Sequence, residues 1–337
     1  PGPSRPEVFD QCLLVETDPD VDADALRRAL AALWSHHDAL RARFVLGDDG
    51  AWRQHVPGPD GTAPDLLEVC DTNGPDAAEH VAFPLATGPL LNARLFTGAR
   101  PRLLLTIHHL VVDGVSWRIL LEDLDTAYQQ ARTGAPVRLP ERTTSVQEWA
   151  RRLRAHTASG GFAEQRAHWQ DVSGHCAAPL PLDTGAAPGT TTMADVRAVT
   201  VRLDRQHTDD LLRKAPGAYR TRIDDVLLTA LGRTVADWIE RSTVTVALEG
   251  HGREDQLFDD IDLSRTVGWF TSLYPIALDV PDADWGTALK SVKEQLRAVP
   301  DRGLGHGALA RLAGDDRLAA APAPGIRRAH VTPVTRA

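Results

Sequence analysis

The stretch over residues 179–192 does most to constrain the fold. It is rich in Pro, Gly, Ala and Thr and carries no apolar period. Such a segment makes no packed helix or strand and reads as a linker. It divides the 337 residues into 1–178 and 193–337, each long enough to bury a core. Ahead of it, strands are expected over 8–16, 40–46, 51–56, 66–71, 90–97 and 102–109. Gly47-Asp48-Asp49-Gly50 and Gly98-Ala99-Arg100-Pro101 supply hairpin turns.

Helices are predicted from a cap at Asp20 or Asp22 to Trp34, then over 115–131, 145–157 and 162–171, with Trp149 and Trp169 as core anchors. Beyond the linker come strands over 196–203, 243–249 and 272–280, and helices over 204–214, 224–240 and 285–299. Residues 322–337 show neither period. Both halves mix helices with strands that pair as neighbours, which implies an α+β sandwich present twice.

Charge and cysteine content narrow the function. There are 37 Lys and Arg against 46 Asp and Glu, a formal charge of −9. That balance argues against a nucleic-acid binder, whose footprint is a net basic face. Cys12, Cys70 and Cys176 are far apart, with no CxxC pair, so neither a disulfide framework nor a zinc ribbon is expected and a reducing cytosol fits. The most apolar stretch, 103–112, is interrupted by His108 and His109 and is too short for a membrane helix. The first six residues are neither a signal peptide nor a presequence.

His108-His109-Leu110-Val111-Val112-Asp113-Gly114-Val115-Ser116-Trp117 lies where a strand ends and a helix begins. Adjacent strand residues face opposite ways, so one histidine can face a cleft while the other is buried. A histidine at a strand end is well placed as a general base near neutral pH. Asp113-Gly114 provides a turn, and Ser116 a cap. The plain alternative is a satisfied core histidine. A metal site is not supported, because a strand sends the imidazoles apart and no further ligand has matching spacing. Gly114-Val115-Ser116-Trp117-Arg118 lacks the second glycine of a serine-hydrolase elbow.

Glu249-Gly250-His251-Gly252-Arg253-Glu254 follows a β-branched strand. It puts a carboxylate at a strand end beside glycines that allow close backbone approach. A carboxylate in a poorly solvated cleft exchanges protons near neutrality. The plain alternative is a surface turn with a salt bridge.

The His108-His109-x-x-x-Asp113-Gly114 segment resembles the HHxxxDG signature of the condensation-domain superfamily of nonribosomal peptide synthetases, and Ser116-Trp117 looks like its epimerization branch. The 249–254 segment resembles the EGHGRE motif of that branch. Residues 225–232 resemble DxLLxAxG, 265–275 resemble RTVGWFTxxYP with Trp269, Phe270 and Tyr274, and 300–307 resemble PxxGxGYG. Phe9-Asp10-Gln11 stands where the family has an hNQ-like strand.

The resemblance implies two chloramphenicol acetyltransferase-like lobes in a V, with residues 179–192 between them. It also implies an L-to-D epimerase acting on a thioester, carried on the phosphopantetheine arm of a peptidyl carrier protein beside other synthetase domains. No cofactor of its own and no metal are implied. His109 is the implied catalytic histidine and Glu249 the implied catalytic glutamate. His108, Asp113, Gly114, Ser116, Trp117, His251, Arg253, Trp269, Tyr274 and His306 are supporting residues, with Asp113 set to pair with an arginine and Tyr274 to line the tunnel. Three departures stand out. His306 replaces a tyrosine, the early PIQxWF-type motif is absent, and so is the later FNYLGQ motif. The resemblance therefore also implies a second lobe that is incomplete, with exposed sheet edges. Two alternatives stay open: a condensation domain forming a peptide bond, and an inactive carrier-docking or scaffold remnant.

Overall fold

In a computed structural model, residues 5–59, 62–72, 81–178, 180–181 and 195–328 are described. The expected linker falls almost entirely outside them. The chain packs as two units: residues within Pro1–Leu153 and Arg253–Thr271 form one, and residues within Arg154–Gly252 and Ser272–His330 the other.

The first unit is organised around β6 (Arg102–His108), where Leu103 through His108 are all buried. A strand covered on both faces reads as a near-continuous apolar run, and this one does from Leu103 to Ile107 but for Thr106. The other elements are β1 (Asp10–Glu16), α1 (Ala23–His36), β2 (Arg43–Leu46), β3 (Trp52–His55), β4 (Leu67–Cys70), β5 (Leu91–Phe96), α2 (Gly114–Arg132) and α3 (Val146–Ala158), which runs on across the unit boundary. The main sheet has the order β1-β6-β5-β4, antiparallel except for the parallel β4–β5 pair. β2 and β3 form the expected hairpin apart from it. α1 starts where Asp22 accepts from the N–H of Asp24 and Ala25 at 2.9 and 3.0 Å, satisfying donors the helix leaves open. Leu26, Ala29, Leu30 and Leu33 recur at helical spacing and are buried with Leu120, Leu124 and Ala127 of α2.

The second unit contains α4 (Arg166–His175), α5 (Arg205–Asp209), α6 (Ala215–Tyr219), α7 (Ile223–Ile239), β7 (Thr243–Gly250), β8 (Ser272–Asp279), α8 (Trp285–Arg297), α9 (Leu304–Gly307), α10 (Asp316–Ala320) and β9 (Ile326–Arg328). Its sheet has the order β8-β7-β9. Val244, Val246 and Leu248 of β7 point into a core with Leu228, Val235, Ile276, Leu278 and Val292. α7 lies close on this sheet at Gly232, where a Cβ would stand 2.8 Å from Val280 Cγ2.

Three expectations are corrected. Residues 196–203 alternate as a strand does, yet they join no ladder among the described residues, and Val199 is 91% and Val201 82% exposed. Period identifies a strand only when a partner edge is available. Ile326–Arg328, in the tail without a period, is a strand because β7 presents such an edge. The boundary also differs from one at residue 178. Residues 154–178 group with the second unit, where Trp169 meets Tyr274 and His306. Residues 253–271 group with the first, for reasons that lie in the candidate site.

Candidate active site

β1 and β6 are antiparallel with Asp10 opposite His108 and Gln11 opposite Ile107. The strand ends at His108, and His109 opens a short 3-10 turn over His109–Val111. That break separates the roles of the two histidines. His108 is wholly buried. Its Nε2 lies 2.8 Å from the Pro6 carbonyl, and its Nδ1 accepts from the Leu110 N–H at 3.2 Å. A carbonyl only accepts and an N–H only donates, so the ring is the neutral Nε2–H form with both nitrogens engaged. Burial lowers its pKa.

His109 has the opposite tautomer. Its Nδ1 lies 2.9 Å from the Val112 carbonyl and so carries the proton. Its Nε2 lies 3.0 Å from Gln11 Nε2. The ring stacks on Phe9 at 4.9 Å and meets Trp269 at 4.5 Å between centroids. Phe9 and Trp269 are both substantially exposed, so large apolar rings flank this imidazole at the surface of the unit. Trp269, carried by the 265–275 motif, is part of the histidine's surroundings.

Below it lies a buried polar knot. Asp113 caps α2, accepting from the N–H of Ser116 at 2.8 Å, the Ser116 hydroxyl at 2.8 Å and the Phe270 N–H at 3.1 Å. The cap is therefore Asp113 and not Ser116, which lies within the first turn of α2. Gly114 is the first residue of that helix, with open space where a Cβ would be. Arg253 donates from Nη2 to Asp113, Ser116 Oγ and the Thr266 carbonyl, each at 3.0 Å. Its guanidinium lies over Phe270 at 4.1 Å. Burial pulls its pKa down and the Asp113 carboxylate opposes that. This knot holds residues 253–271 to the first unit, and it supplies the arginine expected for Asp113.

A second buried group escaped the sequence reading. His37 Nε2 lies 3.0 Å from Asp123 Oδ2, and Arg265 donates to Asp123 Oδ1 at 2.5 Å. Burial pushes the Asp123 carboxyl up, but bonds and charges from His37 and Arg265 outweigh it and hold it below the usual range. His36, His37 and Asp123 offer potential metal-ligand atoms within 4.8 Å of one another. Both Asp123 oxygens are already engaged by His37 and Arg265, so the group reads as an ion-pair network. It joins α1, α2 and the 253–271 segment, and no single motif announces it.

Glu249, His251, Tyr274 and His306 belong to the second unit. Glu249 is near the end of β7, and its side chain is 20% exposed. Arg327 of β9 donates to Glu249 Oε1 from Nε at 2.9 Å and also from Nη2. Arg327 pairs in register with Ala247, so it shares the face of Ala247 and Glu249. His251 Nε2 accepts from Arg302 Nη1 at 3.4 Å.

Asp301, Arg302 and Gly303 all have positive φ, at 42°, 47° and 85°. The turn passes so close to Tyr274 that a Cβ on Gly303 would stand 1.9 Å from its Cδ1. Gly303→Ala is therefore expected to cost at least about 2 kcal/mol, combining left-handed backbone and overpacking. Urea denaturation measures this, and an unchanged midpoint would refute it.

His306 packs edge-on against Trp169 at 5.3 Å between centroids. Burial lowers its pKa, and a hydrogen bond with the Leu273 backbone partly opposes that. His108, His36 and His168 are lowered too, with burial the first cause in each. The unfolded chain therefore takes up protons first as pH falls. These groups stabilise the fold fully above the ordinary value of about 6.5, and that contribution declines below it down to their folded values. The urea midpoint is expected to drop between about pH 7.5 and about pH 5, and His306→Tyr is expected to shrink the drop. A flat profile would contradict this.

The profile of the condensation-domain family matches residues 4–321. The chain belongs to the condensation-domain family. A linear gramicidin synthase polypeptide of Brevibacillus parabrevis is 43% identical over 325 residues, covering 91% of this chain and 4% of that protein. Surfactin synthase subunit 2 of Bacillus subtilis (strain 168) is 36% identical over 314 residues, covering 89% of this chain and 9% of that protein. This condensation-family chain thus spans a small part of such relatives.

Among solved structures, the epimerization domain from the third module of tyrocidine synthetase B superposes with TM-score 0.79 at 34% identity, covering 92% of this chain and 72% of that one. The first condensation domain of the calcium-dependent antibiotic synthetase, bound to a substrate analogue, superposes with TM-score 0.75 at 21% identity, covering 98% and 78%. The α+β, chloramphenicol acetyltransferase-like fold expected from the motifs is the fold of this condensation-family chain. Among the described residues, no helix is long and apolar enough to cross a membrane.

Proposed function

We propose that the chain is an epimerization domain of a nonribosomal peptide synthetase. Its substrate is an aminoacyl or peptidyl thioester on the phosphopantetheine arm of a peptidyl carrier protein. The observation that carries this reading is the 249–254 segment, which places a carboxylate near the end of β7. The 34% identity to an epimerization domain, against 21% to a condensation domain, supports the same choice.

The chemistry asks for two proton-transfer groups. A thioester acidifies the α-carbon, and removal of its proton leaves an enolate. Return of a proton to the opposite face inverts the centre, while the carrier thioester stays intact. His109 and Glu249 are the proposed pair. The bare Nε2 of His109 suits it to accept a proton. Phe9 and Trp269 keep apolar surface against the imidazole and support the ring when it becomes cationic.

The test loads a carrier protein with an L-aminoacyl thioester in deuterated water. Deuterium at the α-carbon and a mixture of L and D forms on a single loaded carrier are expected. An amide formed only with a second loaded carrier, without deuterium uptake, would replace the reading with a condensation domain. Cooperative unfolding with neither reaction would replace it with a carrier-docking or scaffold module.

A further inference from the structure

The contacts of His109 raise a question that its motif does not answer. The side-chain amide of Gln11 can present either an oxygen or an NH₂ to the ring, and the two choices have opposite consequences. The indole of Trp117 decides between them. Its Nε1–H lies 2.7 Å from Gln11 Oε1, and an indole nitrogen only donates. Gln11 therefore turns its oxygen to Trp117 and its NH₂ to His109 Nε2, 3.0 Å away. An NH₂ group needs an acceptor, so it favours a bare Nε2. The Val112 carbonyl, 2.9 Å from Nδ1, requires a proton on the other nitrogen. The ring is thus held from both sides as one neutral tautomer.

We propose that Gln11, locked by Trp117, is the positioning residue that keeps His109 Nε2 free of a proton until substrate displaces the amide. This rests on the reading of His109 as a proton-transfer group. Trp117 acts through Gln11, and neither residue transfers a proton itself. Had the amide been free to turn, Oε1 would accept from Nε2–H and hold the imidazolium, a ring already spent as a base. The locked amide instead penalises that form while the site is empty. In the reaction, the amide N–H leaves Nε2, the substrate α-proton moves to Nε2, and the electron pair stays on the substrate as the enolate.

Among the charged or titratable groups on the surrounding elements, those beside the ring and its contacts in the chain are Asp10 and Cys12 on β1, His108 in the same turn, Asp113 at the start of α2 and Arg118 on it, with Arg253 of the 253–271 segment bonded to Asp113. Asp10 accepts from the Val81 N–H, His108 is neutral with both nitrogens engaged, and Asp113 and Arg253 pair with each other. None of them changes in the variants below, so a change in the ring reports on Gln11.

The experiment is nitrogen-resolved NMR of the imidazoles in the full chain, with His109 identified among the 13 histidines by His109→Gln. Near neutral pH the parent ring is expected to show a protonated Nδ1 and a bare Nε2. Gln11→Glu presents a carboxylate, so both nitrogens are expected to be protonated. α-Proton exchange should then fall about hundredfold. Trp117→Phe releases the amide, and the ring is expected to take its second proton at a higher pH than in the parent. kcat should fall about tenfold while KM holds, since the substrate keeps its contacts. Should Gln11→Glu fail to fold, Trp117→Phe carries the test by the same spectrum.

A Gln11→Glu ring that keeps a bare Nε2, or a Trp117→Phe ring that titrates as the parent does, overturns the proposal. A parent whose ring and variants behave as expected but which exchanges no α-proton overturns the epimerase reading instead. The control of the ring by Gln11 would then stand.

Discussion

Asp113→Ala is expected to destabilise the chain by about 3–5 kcal/mol, the usual consequence of removing one partner from a buried ion pair. The side chains of Asp113 and Arg253 are 4% and 7% exposed, so water cannot replace the lost carboxylate. The substitution also strips the cap from α2 and leaves the Phe270 N–H without its acceptor. Urea denaturation monitored by far-UV circular dichroism measures the loss. Replacing Arg253 by Met in the same background removes the stranded charge and is expected to restore part of the stability. A loss below about 1 kcal/mol would show that residues 253–271 are not held by this knot.

The largest catalytic effect is expected from Glu249→Gln. It keeps the shape of the side chain and removes its capacity to exchange a proton, so α-deuterium uptake should slow by about 10²- to 10⁴-fold. His109→Gln is expected to act on the same scale. Combining the two should cost less than the sum of the single effects, because in the proposed reaction the residues serve one proton-transfer sequence. Single-turnover mass spectrometry of the loaded carrier reads the rate. Uptake at the parent rate in Glu249→Gln would show that the carboxylate is not one of the pair. Stability should change little, since the partner Arg327 side chain is 61% exposed and such ion pairs contribute weakly.

Much of the fold was legible because packing and period agree. Leu26, Leu30 and Leu33 are spaced for a helix face, and they lie on one in α1. The run from Leu103 to Ile107 is apolar but for Thr106 because it is the covered interior of a sheet. Where period and packing part, the reading failed. Val199 and Val201 alternate without a partner strand, while Ile326–Arg328 pairs without a pattern. A ladder needs an edge as well as a sequence, and the edge belongs to another part of the chain.

The candidate site divides in the same way. The sequence by itself determined which residues are chemically suited: two adjacent histidines at the end of a strand, an aspartate ahead of a helix, and a glutamate closing another strand. Each of those is a local pattern of spacing and residue type. Only the tertiary structure decided what each one is bonded to. His108 is consumed by Pro6 and Leu110, and His109 is left with Nε2 facing Gln11. Arg253 reaches Asp113 from 140 residues away, and Arg327 meets Glu249 across β7 and β9. The protonated nitrogen of an imidazole and the partner of a carboxylate are set by donors and acceptors brought in from distant segments. That information resides in the packing and not in the order of residues along the chain.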